Sequence, residues 1–188
     1  MIELSNIQAL AGNHVPKYIY NDHFEPGKTP VYYSGPYWDS NEIVAAMDAF
    51  LNGKWIVAGE KVHKFESRFA KKFNQKHAHM VNSGSSANLV LVAALKKRFN
   101  WQDDDELIVS PVGFATTVSV IYQNRLKPVF VDIEWDTLNF DLNQIEDKIT
   151  SKTKGIFVSP VLGNPPDFDK LLELANKYDL KLIGDNCD

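Results

Sequence analysis

The stretch ELIVSPVGFATTVSVIYQNRLKPVFVD (residues 106–132) holds the smallest unit from which the fold can be read. Its first five residues, ELIVS, are a short β-rich apolar run bounded by Pro111 and Gly113. Residues 115–124 then follow a helical period, and KPVFVD (127–132) returns to a strand. Two short strands separated by a helix make a βαβ unit, whose strands run parallel. The same alternation extends outward in both directions. Upstream, a strand at 77–82 leads to a helix at 85–99. Downstream come a turn at 134–139, a helix at 141–148, a strand at 154–159 (KGIFVS), a helix at 167–178 and a strand at 181–185 (KLIGD). The expected class is α/β, a mostly parallel sheet flanked by helices.

In open parallel sheets ligands bind beyond the carboxyl ends of the strands. That rule selects Asn82–Ser86, Ser110–Phe114, Asp132, Ser159 and Asp185–Asp188. Upstream of the alternation, residues 1–39 carry Pro16, Pro26, Pro30 and Pro36 among many aromatics, which suggests an irregular N-terminal arm. From 40 to 188 the chain reads as one domain. A helix begins at Ser40, a plausible N-cap, with Ile43, Val44, Met47, Phe50 and Leu51 on one face. A second amphipathic helix at about 60–73 would bury Val62, Phe65, Phe69 and Phe73. The last strand is followed by only a few residues, so the sheet is expected to be incomplete at its C-terminus and the chain to be part of a longer one.

The totals exclude several classes. The 188 residues are 44% apolar and 23% charged, ordinary for a globular domain. A net charge of −4 speaks against a nucleic-acid surface. No apolar run approaches the ~20 residues of a membrane span, and the first residues lack the pattern of a secretion signal; a cytoplasmic location is expected. One cysteine, Cys187, leaves no internal disulfide framework and no multi-cysteine metal site. His77 and His79 point the same way on a strand but lack a carboxylate or cysteine companion, so no metal is expected.

Three stretches could carry chemistry. In VNSGSSANLVLVAAL (81–95) a Gly-Ser-Ser turn opens a helix, offering free amides, hydroxyls and the positive end of a helix dipole. Such a turn suits an anion, most often phosphate, and equally suits plain helix capping by Ser85. In LIGDNCD (182–188) Asp185 ends an apolar strand, where an acid either caps a helix or meets a cation. In SPVGFATTVSV (110–120) Phe114 could cover a flat ligand, although packing in the core is the simpler account of that residue taken alone.

Together these stretches resemble the DegT-like sugar-nucleotide aminotransferases and dehydratases, which have the aspartate aminotransferase-like (fold type I) architecture and use vitamin B6. GKWIVAGEKVHKFESRFAKKF and VLGNPPDFDKL fit the same resemblance, which covers about residues 40–188. The wording NSGSSAN, GFATTV and DNCD is most similar to the 3-dehydratase branch. That branch removes the C3 hydroxyl of a nucleotide-linked 4-keto-6-deoxyhexose, using pyridoxamine 5'-phosphate, in deoxysugar or O-antigen biosynthesis. By resemblance, Gly84 and Ser85 hold the cofactor phosphate, Phe114 stacks on the ring and Asp185 meets the ring nitrogen. Asp188 falls at a polar position near the ring, and Asn164 is a further candidate. Gly184 departs from the family, which commonly has Glu there. The base, histidine in dehydratases or the lysine that binds pyridoxal 5'-phosphate in aminotransferases, is expected beyond Asp188, so the 188 residues alone are expected to be inactive. The resemblance further implies a nucleotide-sugar substrate and a homodimer. The alternatives are a sugar-nucleotide aminotransferase and, from another class, an inactive cofactor-binding module.

Overall fold

The structure is a computed structural model and describes residues 3–14, 24–31, 39–55 and 57–187. Two compact units divide the chain, residues 1–79 and residues 80–188.

The first unit is helical. Helix α1 (Leu4–His14) occupies part of the stretch read from sequence as an irregular arm. The reason is visible in its spacing. Ile7 and Ala11 lie one turn apart, share a helix face and pack with Val44 of α2 (Ser40–Asn52) in a small core. Residues 15–23 and 32–38 of that arm lie outside the described residues. Helix α2 is capped by Asp39, not by the expected Ser40. Asp39 Oδ1 accepts the Asn41 amide at 2.7 Å, and Glu42 Oε2 accepts the Asp39 amide at 2.7 Å. This reciprocal box satisfies two amides that the helix start would otherwise strand. Helix α3 (Glu60–Lys72) forms where expected, but its aromatic stripe does not enter a core. Phe65, Phe69 and Phe73 are each about half exposed and lean on one another in tilted pairs along the helix, ring centroids 5.5 and 4.6 Å apart. Of the expected apolar face of α2, Val44 is buried while Met47, Phe50 and Leu51 stay exposed.

The second unit is the α/β sheet. Helix α4 (Gly84–Arg98) precedes β1 (Glu106–Val109), α5 (Ala115–Gln123) and β2 (Lys127–Phe130). A short α6 (Leu142–Ile145) continues as a 3-10 turn to Lys148, and β3 (Thr153–Val158), α7 (Phe168–Lys177) and β4 (Lys181–Gly184) complete it. The four strands pair in parallel, in the order β2-β1-β3-β4. Side chains alternate across a strand, and the two resulting layers both close. Leu107, Val109, Phe157 and Ile183 pack with Val92 of α4 and Val120 and Ile121 of α5. Ile108, Ile156 and Val158 pack on the other face with Ile145, Leu171 and Ala175. Burial on both faces explains why β1 reads as an unbroken apolar run rather than an alternating one. Gly155 is required where β3 meets β4, since a Cβ there would stand 2.5 Å from the Lys181 carbonyl oxygen.

Residues 77–82, expected as the first strand, form none. Neither outer strand of the four takes them as a neighbour. An apolar run becomes a strand only where another strand meets its amides and carbonyls, so composition alone could not fix this element.

Candidate functional site

The carboxyl ends of β1, β3 and β4 gather the starts of two helices. Helix α4 begins at Gly84, and its N-cap is Ser83: the Ser83 hydroxyl accepts the Ser86 amide at 3.1 Å. Capping therefore does not fall to Ser85, the residue for which the sequence left that role open. Ser85 sits in the first turn, and its hydroxyl donates to Thr116 Oγ1 of α5 at 3.3 Å. The amides of Gly84 and Ser85 belong to that same first turn, ahead of any carbonyl of α4 that could receive them. Helix α5 starts after Phe114, which supplies no side-chain cap. Two helix starts, each the positive end of its dipole, are thus tied together by one hydroxyl pair.

Asp185 follows β4 and continues its pairing, its amide donating to the Val158 carbonyl at 2.8 Å. Its side chain is buried, 7% exposed. Oδ2 accepts from Asn88 Nδ2 of α4 at 2.8 Å and from Thr117 Oγ1 of α5 at 2.7 Å. Among the described residues Oδ1 has no hydrogen-bond partner, yet it is not one of their sealed, unsatisfied atoms, so it retains a surface. Cys187, exposed and two residues on, closes the arrangement. Its Sγ lies 3.5 Å from where a Cβ on Gly84 would stand. Asp185, about a hundred residues beyond Gly84 and Ser85 in sequence, is therefore linked to their helix through Asn88, one turn on from Gly84.

Phe114 is 67% exposed rather than packed in the core, and it borders a cavity of about 80 Å³ with Ser110, Gly113, Thr117 and Ser159. Gly113 takes φ +151°, a backbone state that side chains rarely adopt, which lets the loop turn sharply into Phe114. Asn164 is elsewhere engaged. Its Nδ2 donates to the Thr137 carbonyl at 2.8 Å and its own carbonyl accepts from Asn139 at 3.0 Å, so it ties two loops together and no hydrogen bond joins it to the Asp185 cluster. Asp188 lies outside the described residues. Among the described residues no cluster of histidine, cysteine and acids could hold a metal ion, and no helix is long and apolar enough to cross a membrane.

The residues present fit a phosphorylated, cationic aromatic ring. Free amides and hydroxyls suit the phosphate, the open carboxylate oxygen suits a protonated nitrogen, and an exposed phenyl ring suits the flat face between them. Sequence reasoning missed Asn88, Thr116 and Thr117. Spacing could have found the first: Asn88 is four residues from Gly84, hence on the same face of a helix that is otherwise apolar.

Residues 38–188 match the DegT/DnrJ/EryC1/StrS aminotransferase family. The dTDP-4-dehydro-2,6-dideoxy-D-glucose 3-dehydratase of Saccharopolyspora spinosa is 40% identical over 169 residues, covering 88% of this chain and 36% of that protein. The dTDP-3-amino-3,6-dideoxy-alpha-D-galactopyranose transaminase of Aneurinibacillus thermoaerophilus is 33% identical over 144 residues, covering 77% of this chain and 39% of that one. Among solved structures, the Escherichia coli GDP-4-keto-6-deoxy-D-mannose-3-dehydratase with bound hydrated PLP superposes with a TM-score of 0.76 at 38% identity, over 82% of this chain and 40% of that one. The chain spans about 40% of the length of these relatives. Its parallel sheet and flanking helices are those of the fold type I enzymes.

Proposed function

The chain belongs to the DegT/DnrJ/EryC1/StrS aminotransferase family, and from that premise we propose that it is the cofactor-holding part of a vitamin-B6-dependent enzyme that removes the C3 hydroxyl of a nucleotide-linked 4-keto-6-deoxyhexose. One observation carries the cofactor assignment: a buried carboxylate pinned by one oxygen, with the other open beside two helix starts. Gly84 and Ser85 would hold the phosphate through their amides and the Ser85 hydroxyl. Phe114 would cover one face of the ring and keep water from it. Asp185 Oδ1 would accept the proton-bearing ring nitrogen and keep that proton in place. Pyridoxamine 5'-phosphate, when bound, supplies a nucleophilic amine and a ring able to take up an electron pair. The substrate class is supported by relatives named as 3-dehydratases of dTDP- and GDP-linked sugars. A sugar-nucleotide aminotransferase is the second reading, favoured by the transaminase relative, and the same cluster serves it.

The hydrogen-bonded cluster around Asp185 contains no lysine or histidine among the described residues. Proton transfer at the substrate would therefore fall to a residue outside that cluster.

Calorimetric titration of pyridoxamine 5'-phosphate tests the assignment. Ser85→Ala removes one hydroxyl and leaves the amides, so binding should weaken by ~0.5–1.5 kcal/mol, or more toward a charged partner. Asp185→Asn should weaken binding of the cofactor but leave binding of inorganic phosphate unchanged. Equal affinity of all three proteins for the cofactor would remove the cradle from the account and leave α4 with an ordinary helix start.

A further inference from the structure

Asp185 is gripped from two helices at once. Asn88 Nδ2 on α4 and Thr117 Oγ1 on α5 reach the same carboxylate oxygen, Oδ2, at 2.8 and 2.7 Å. All three side chains are more than nine-tenths buried. An unconstrained carboxylate turns about its last bond and presents either oxygen. Two donors converging on one oxygen stop that rotation and decide which oxygen is spent. A buried acid satisfied for folding alone would be expected to engage both oxygens, yet Oδ1 has no partner among the described residues. The amide of Asn88 can face Asp185 only through its nitrogen, because its oxygen would oppose a second acceptor. Both donors are spent on Oδ2, so the accepting capacity that remains to the group lies on Oδ1.

We propose that Asn88 and Thr117 are positioning residues that lock Asp185 with Oδ1 toward the ring nitrogen of the bound cofactor, and so make the site select a ring that carries an N–H. The inference rests on the cofactor reading above. It separates two properties of the site. The α4 start would retain any phosphorylated ring, whereas the Asn88–Thr117 grip would decide whether the nitrogen in that ring counts.

The test compares pyridoxine 5'-phosphate with its 1-deaza analogue, in which carbon replaces the ring nitrogen. Neither has a carbonyl, so neither couples to surface lysines. Equilibrium binding of both is measured on the chain and on Thr117→Val, Thr117→Ser and Asn88→Leu. The unaltered chain should prefer the nitrogen ring. Thr117→Val should cut that preference about tenfold, the scale of one hydrogen bond to a charged group. Thr117→Ser restores the hydroxyl and should restore the preference, and Asn88→Leu should lose it. A merely structural role would weaken both ligands in parallel and leave their ratio alone. A ratio that stays at its original value in Thr117→Val, or that Thr117→Ser fails to recover, overturns the positioning role. Should Asn88→Leu not fold, the valine and serine pair decides alone. No preference in the unaltered chain, or no binding of pyridoxine 5'-phosphate at all, overturns the cofactor reading itself and this inference with it.

Discussion

At the scale of single residues, the site depends on which atoms remain open. Cys187 reports on this directly, because its exposed thiol stands against Gly84 at the start of α4. A phosphate resting on the Gly84 and Ser85 amides would cover the approach to Sγ. Alkylation of Cys187 by a maleimide should therefore slow several-fold when inorganic phosphate is added, and a matched concentration of chloride should not reproduce the effect. Mass spectrometry of timed samples gives the rate, and a rate indifferent to phosphate would take the anion away from this helix start. The sequence made Gly84, Ser85 and Asp185 legible because each lies at a boundary between strand and helix, where small or acidic residues need an explanation. Asn88 and Thr117 lie inside helices, where an Asn or Thr normally faces solvent or caps nothing. Their burial follows from the arrival of Asp185 from far along the chain, which no local pattern contains.

At the scale of elements, alternation was the reliable signal, and contact across distance was the unreliable one. Four of the five expected strands formed because each has a parallel partner, the central β1 and β3 being buried almost throughout and the outer β2 and β4 only in part. Residues 77–82 have the composition of a strand and no such partner. The aromatic stripe of α3 was legible as a stripe, but whether rings stack on one another or enter a core depends on what faces them. A surface clasp shows the same dependence. Glu146, after α6, accepts from both Lys177 and Tyr178 at the end of α7. The hydrogen bond from Lys177, then that from Tyr178, holds the Glu146 carboxyl below its ordinary value of 4.5. A depressed folded value means that the clasp stabilises fully above the ordinary carboxylate range and is lost as pH falls through the lower folded value. Lys177, raised above 10.5 chiefly by its hydrogen bond to Glu146, contributes fully below that ordinary value and loses the contribution as pH climbs through its folded value. Glu146→Gln should therefore lower the melting temperature slightly near neutral pH, and the gap to the unaltered chain should close below about pH 4. A gap that widens in acid would show that the clasp does not act through the Glu146 charge.

At the scale of the whole molecule, the two units differ in what holds them. The described core of the first unit is small: Ile7, Ala11 and Val44 cluster with Ile43 against them, and Ala70 of α3 is also buried. The second unit has two layers of buried aliphatic and aromatic side chains, one on each face of the sheet. It also contains every residue of the Asp185 cluster. Stability scales with apolar surface removed from water, so the second unit should fold without the first. Residues 80–188 expressed alone should unfold cooperatively in urea and bind pyridoxine 5'-phosphate as the whole chain does. Leu107, fully buried between β1 and the α4–α5 layer, gives the internal control. Leu107→Ala deletes buried methyl groups and leaves a cavity, costing ~2–5 kcal/mol. The same loss is expected in the fragment and in the full chain, because the buried cluster that holds Leu107 lies within residues 80–188. Should the fragment show no cooperative transition, or should Leu107→Ala cost far less there than in the full chain, the sheet would depend on residues 1–79 for its packing.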